Sequence, residues 1–163
     1  MKQKGVVNTS KSSAEDLSSA YTYKTLSTDR DTSVPSADTE LIVNVRRGTY
    51  RVTFDLFWTF GNGDGATITY NGGSASISTA TLEEWAIADT DDTTPGILYT
   101  FKSAGDGAAT AFNLDNVGDV YMQTRGVVTF TTDGTFALKW GGLNGGAIHT
   151  LLANSSLSLV QIQ

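Results

Sequence analysis

The chain has 163 residues, enough for one domain with a substantial core. Its formal net charge is -6 and its Lys and Arg residues are scattered, which excludes the basic footprint of a nucleic-acid binder. It has no cysteine, which excludes disulfides, thiolate zinc sites and thiol nucleophiles.

Residues 1–38 are rich in Ser and Thr. Their sizeable apolar residues are Val6, Val7, Leu17, Tyr21, Tyr23, Leu26 and Val34. So few cannot offset the entropy of ordering the segment, so it reads as an extended polar arm that is ordered by lying on something else. Residues 39–163 read as the domain. Within the arm, Ser13 caps a possible short helix to Leu17, and Tyr21 to Leu26 alternates as a strand. No run reaches the length of a signal peptide core or a membrane helix, so a membrane is not expected as a partner.

From Glu40 the pattern is strand after strand. Glu40 to Val45 is the first. After the turn Arg46-Arg47-Gly48, the stretch Thr49 to Phe60 alternates almost perfectly, with Tyr50, Val52, Phe54, Leu56 and Trp58 on one face. Phe57 breaks the rule by placing a ring on the polar side. Either a partner covers it there, or a local bulge turns it inward. Ala66 to Tyr70 and Ser74 to Ser78 flank Asn71-Gly72, a hairpin signal. Leu82 to Ala88 is ambiguous between a short helix and an irregular strand. Ile97 to Phe101 is a strand, and Val120 to Phe130 is a long one with a bulge expected at Gly126. Thr132 to Thr135 reads as a hairpin turn into Phe136 to Trp140. A loose strand near Ile148 precedes a closing one, Leu157 to Ile162. Many short strands at this spacing, with no internal repeat, predict an all-β fold: an antiparallel two-sheet β-sandwich of jelly-roll type carrying an extended N-terminal arm.

Chemistry is sparse. His149 is the single histidine, and no Gly-x-Ser-x-Gly elbow accompanies it. Glu83 and Glu84 are adjacent, so a strand would send them to opposite faces rather than form the facing pair that glycosidases use. Asp89, Asp91 and Asp92 share a loop with hard-oxygen character for calcium, but they do not fit a calcium-hand pattern, and a solvated acidic loop is the plainer reading. No catalytic residue, cofactor or metal is assigned. Trp85, beside Glu83 and Glu84, is the best candidate for a sugar platform.

Two stretches carry a resemblance. One runs from Tyr23 through Asp38 to Leu41 and on to Val45-Arg46-Arg47-Gly48-Thr49-Tyr50. The other runs from Gly126 through Asp133-Gly134-Thr135 to Trp140, and the chain closes with Asn154-Ser155-Ser156-Leu157-Ser158-Leu159. This resembles tailed-bacteriophage structural proteins with a tumour-necrosis-factor-like jelly roll. It covers both ends of the body, and the middle, from Gly61 to Asp119, carries none of it. The resemblance implies a non-enzymatic virion component, commonly a homotrimer, assembled in the host cytoplasm and placed on the capsid surface. With no shaft repeat in the sequence, the preferred expectation is a capsid decoration or cement protein bound through its arm to the major capsid protein or another virion protein. Tyr21, Tyr23, Leu26 and Phe57 are then the expected subunit or capsid interface. The alternative is a receptor- or glycan-binding head with Trp85 and the loop Asp89 to Asp92 at its site.

Overall fold

The computed structural model describes residues 21–34, 36–59, 66–70, 73–88, 96–104, 109–112, 119–142 and 148–163. They form twelve strands: β1 (Tyr21–Thr25), β2 (Arg30–Thr32), β3 (Ser36–Val45), β4 (Gly48–Thr59), β5 (Ala66–Thr69), β6 (Ile77–Ala88), β7 (Gly96–Ala104), β8 (Ala109–Phe112), β9 (Asp119–Phe130), β10 (Gly134–Gly142), β11 (His149–Leu151) and β12 (Ser156–Gln161). All pairs are antiparallel. The large sheet has the order β1-β12-β4-β9-β6-β7, with β11 joining β4 to β2, and the small sheet has the order β3-β10-β5-β8. If β2, β11 and the hairpin β6–β7 are set aside, the eight remaining strands run first-eighth-third-sixth in one sheet and second-seventh-fourth-fifth in the other. That is the wrapping of a jelly roll. The hairpin β6–β7 is an insertion that widens the large sheet beyond β9.

The core follows from alternation. Tyr50, Val52, Phe54, Leu56 and Trp58 of β4 are buried, as are Val120, Met122, Val128 and Phe130 of β9 and Leu157 and Leu159 of β12. Across the sandwich they meet Phe136, Leu138 and Trp140 of β10. Phe54 and Phe136 have ring centroids 5.8 Å apart, and Trp58 packs edge-on to Trp140 at 5.0 Å.

Several reversals join the two sheets rather than neighbours within one. β3 to β4, β5 to β6 and β9 to β10 each cross between sheets, so the turn expected at Asp133-Gly134 is not a hairpin within a sheet, and Asn71-Gly72 lies outside the described residues. The crossings brace each other at one end. The Arg47 N–H donates to Asp133 Oδ1 at 2.7 Å, the Ala75 N–H to the Thr135 carbonyl at 2.9 Å and the Thr131 N–H to the Ser76 carbonyl at 2.9 Å.

The segment expected to be an arm is, from Tyr21 onward, built into the sandwich. β1 pairs with β12 along its whole length, and β2 pairs with β11. Asp38, placed at the boundary, is itself buried: Oδ1 accepts the Glu40 and Leu41 N–H groups at 2.7 and 2.8 Å, and Oδ2 accepts the Trp140 indole N–H at 3.3 Å. Residues 1–20, with the expected helix at Ser13 to Leu17, lie outside the described residues. Leu82 to Ala88 is regular strand within β6. No bulge occurs at Gly126, where Val52 and Leu82 pair with it in unbroken register. A glycine is required there because a Cβ would stand 2.0 Å from the Thr81 carbonyl oxygen of the adjoining strand.

Candidate functional site

The outward face of the large sheet is set by the register of its strands. Side chains on paired positions form rows across it. One row reads Tyr21, Val160, Arg51, Val127, Thr81, and the next Tyr23, Ser158, Thr53, Arg125, Glu83. A third reads Thr25, Ser156, Asp55, Gln123, Trp85. Beyond it, Phe57 faces Tyr121 and Thr59 faces Asp119.

Phe57 points outward because β4 and β9 stay in register from Gly48 opposite Phe130 to Thr59 opposite Asp119, leaving no bulge to turn it. It is 38 % exposed. It also sits where β4 passes from one partner to another: Asp55 pairs with β12, and Trp58 and Thr59 pair with β11. Between them, the Phe57 N–H donates to Ser155 Oγ at 3.0 Å, and the Phe57 carbonyl accepts the Leu152 N–H at 2.8 Å.

Around Phe57 the face is organised. Its ring lies 5.0 Å from that of Tyr121, and Trp85 meets Tyr121 edge-on at 5.3 Å. Polar groups tie the cluster together. The Trp85 indole N–H donates to Gln123 Oε1 at 3.2 Å, Gln123 Nε2 donates to Asp55 Oδ1 at 2.7 Å, and the Tyr121 hydroxyl donates to the same oxygen at 2.8 Å. Burial, followed by the hydrogen bond to Asp55 and its charge, pushes the Tyr121 pKa up to about 12. Below this cluster, Arg125 Nε donates to Glu83 Oε2 at 2.9 Å, and Arg51, Thr53, Thr81 and Val127 complete a shallow depression of ≈ 350 Å³.

The other sequence candidates are placed as follows. Tyr21 and Tyr23 are exposed on the same face, on strand β1, which has one described neighbour, β12. Leu26, expected at the interface with them, is instead 1 % exposed in the core, so it offers no surface to a partner. Trp85 is half-buried within the aromatic cluster, and the acidic loop Asp89 to Asp92 lies outside the described residues. Glu83 faces out and Glu84 faces in. Glu84 is buried and hydrogen-bonds the Tyr70 hydroxyl, which also meets Thr124 Oγ1 at 2.8 Å. Desolvation, then the Glu84 charge, holds the Tyr70 phenol well above its ordinary range. The two glutamates therefore form no facing pair. His149 is buried on β11, opposite Thr32. Among the described residues no three His, Asp or Glu side chains gather as metal ligands.

No family model matches this chain, and no curated protein does. Among solved structures it is similar to a chain of infectious bursal disease virus, Gx strain, at 10 % identity and a TM-score of 0.24, covering 86 % of this chain and 42 % of that one. A chain of the Gt strain of the same virus gives 10 % and 0.21, covering 86 % and 40 %. TmCBM61 in complex with β-1,4-galactotriose gives 12 % and 0.17, covering 74 % and 68 %. The chain thus spans less than half the length of the two viral chains.

In the sequence Phe57 and Trp85 stand out separately, and nothing local to either shows what joins them. Tyr121, Gln123 and Arg125 alternate along β9, which was a signal for one shared face. The register that sets Gln123 between Asp55 and Trp85 exists only in the folded sheet.

Proposed function

We propose that this chain is a non-enzymatic virion structural protein of the capsid-decoration kind, working as a homotrimer through the outward face of its large sheet. One observation carries the reading: Tyr21, Tyr23, Phe57 and Val127, four of the seven large apolar side chains exposed among the described residues, share that face. They are spread across the face, with Arg51, Thr53, Arg125, Asp55 and Gln123 between them, and a subunit that covered this face would remove their apolar area from water at about 25 cal/mol per Å². The sequence resemblance supplies the virion setting, the trimer and the partner, a major capsid protein or another virion protein. Residues 1–20 are the segment assigned to the shell. Sedimentation equilibrium tests the trimer. The expected result is a trimer for the wild type and a monomer for Tyr23→Glu/Phe57→Glu; a wild type that stays monomeric at every concentration overturns it. Deleting residues 1–20 is expected to leave the trimer intact and abolish binding to shells.

A second reading has its own support. The chain Trp85–Gln123–Asp55–Tyr121 sets amide, carboxylate and hydroxyl groups at the edges of aromatic rings, a combination suited to a sugar. A glycan array gives the answer: a hit that disappears in Trp85→Ala favours this reading, and a blank array favours the first.

A further inference from the structure

β1 is the outer strand of the large sheet at one side, and one of its edges is open among the described residues. The pairing with β12 fixes which backbone groups that edge carries. Thr25 lies opposite Ser156, and Leu26 follows in the same register, its N–H donating to the Ser155 carbonyl at 2.8 Å. In an antiparallel ladder every second residue turns its N–H and C=O to the same neighbour. Counting back from Leu26, Lys24 and Thr22 bond β12. The groups of Tyr21, Tyr23 and Thr25 turn the other way, where they meet no partner among the described residues.

The side chains of β1 divide by the same register. Thr22 and Lys24 pair with the buried Leu159 and Leu157 and so lie on the core side of the sheet, while Tyr21 and Tyr23 lie on its outward side. At this flank β1 comes within 8 Å of β3, Cα to Cα. Two adjoining hollows of ≈ 440 and ≈ 260 Å³ open there and share Thr22 and Asn44. Lys24 lines one and Arg46 the other, and no carboxylate lines either, in a chain of net charge -6. Neither cation makes an ion pair among the described residues.

An open edge is a template for another strand, and an inward-pointing charge closes it to an apolar one. Lys24 has that effect here, because an apolar side chain opposite it would cover the ammonium without pairing it. A carboxylate in the same position would pair it. We propose that the free edge of β1 is a strand-addition site for an extended segment of another protein, acidic on its core side and apolar on its outward side. The N–H and C=O groups of Tyr21, Tyr23 and Thr25 hold its backbone. Lys24 and Arg46 meet its carboxylates, and its apolar side chains lie beside Tyr21 and Tyr23. Main-chain bonds supply the affinity and alternate side chains the specificity. The contact uses a strand edge rather than the outward face, and so goes beyond the association proposed above.

The test titrates the full chain with a capped peptide of alternating Val and Glu. Binding by calorimetry is expected, with slowed hydrogen exchange at the Tyr23 and Thr25 N–H groups. An alternating Val and Lys peptide is expected to bind roughly tenfold more weakly. The Val and Glu peptide N-methylated at every residue, which has no donors left, is expected not to bind. Lys24→Glu changes an exposed side chain and is expected to reverse the order of the two charged peptides. Phe57→Glu, on the outward face, is expected to leave binding unchanged. Failure of the Val and Glu peptide to bind overturns the proposal, as does equal binding of the Lys peptide. Loss of binding in Phe57→Glu overturns it by placing the peptide on the outward face. A Tyr23 N–H already protected in the free protein overturns it too, because the chain itself or a second copy then holds the edge.

Discussion

Phe57 lies against Tyr121 with ring centroids 5.0 Å apart, on the solvent side of a sheet whose other side is the core. The two residues come from neighbouring strands of the jelly roll. Trp85, which closes the cluster, comes from the inserted hairpin β6–β7.

The contrast between Phe54 and Phe57 is a direct test of which ring serves the fold and which serves assembly. Phe54 is fully buried between Phe136 and Tyr70. Phe54→Ala is expected to cost about 3–5 kcal/mol in chemical denaturation. Phe57→Ala is expected to change the monomer's stability far less. If association buries Phe57, the melting temperature of the wild type rises with protein concentration, and that dependence weakens in Phe57→Ala. Equal losses for the two variants would show that Phe57 is an ordinary packing residue.

Asp38 anchors the start of β3 through three donors, two of them backbone N–H groups. Asp38→Ala strands those of Leu41 and Trp140 in buried surroundings, and a loss of about 2–3 kcal/mol is expected. Asp38→Asn keeps an acceptor for the backbone and is expected to lose less. Urea denaturation of the two variants separates them, and an unchanged midpoint in Asp38→Ala would remove this anchor from the account.

Much of the architecture was legible because burial on one side of a sheet writes itself as alternation. β3, β4, β9, β10 and β12 follow from that signal. The destination of each strand was not legible. Asp133-Gly134 signals a reversal, but a reversal into the facing sheet has the same local chemistry as one into the next strand. Glu83-Glu84 hid β6, because a buried carboxylate such as Glu84 makes sense only once Tyr70 is beside it. The alternation of Tyr21 and Tyr23 correctly marked a strand, yet the polar composition around them pointed to an arm. What overrides composition there is long-range pairing with β12, supported by the Leu26 N–H bonding the Ser155 carbonyl at 2.8 Å.

Tyr121 makes the aromatic cluster sensitive to alkaline pH. Its folded pKa, about 12, lies above the ordinary value near 10. The neutral phenol is the form that the folded state favours. The resulting stabilisation is fully present below about pH 10 and is lost as pH rises through 12. A difference titration of phenolate absorbance between the wild type and Tyr121→Phe is expected to show one late-titrating tyrosine. Asp55→Asn is expected to bring that titration down without reaching the ordinary value, because burial is the leading cause and remains. An ordinary tyrosine titration for Tyr121 in the wild type would mean that the bond to Asp55 does not form.

Gly126 tests how the inserted hairpin is held. In a bulge, an alanine there would be tolerated at small cost. In the close approach seen between β9 and β6, its Cβ would meet the Thr81 carbonyl oxygen at 2.0 Å and Leu82 Cα at 2.9 Å. Both are backbone atoms of a paired strand, so no side chain can swing aside to make room. β6 must instead move away from β9, which breaks the pairing on both sides of Leu82 and carries Trp85 away from Gln123 and Tyr121. Gly126→Ala is therefore expected to cost about 3 kcal/mol or more and to alter the near-ultraviolet dichroism of the tryptophans before global unfolding. A variant with the wild-type denaturation midpoint and an unchanged aromatic spectrum would show that the two strands do not approach this closely.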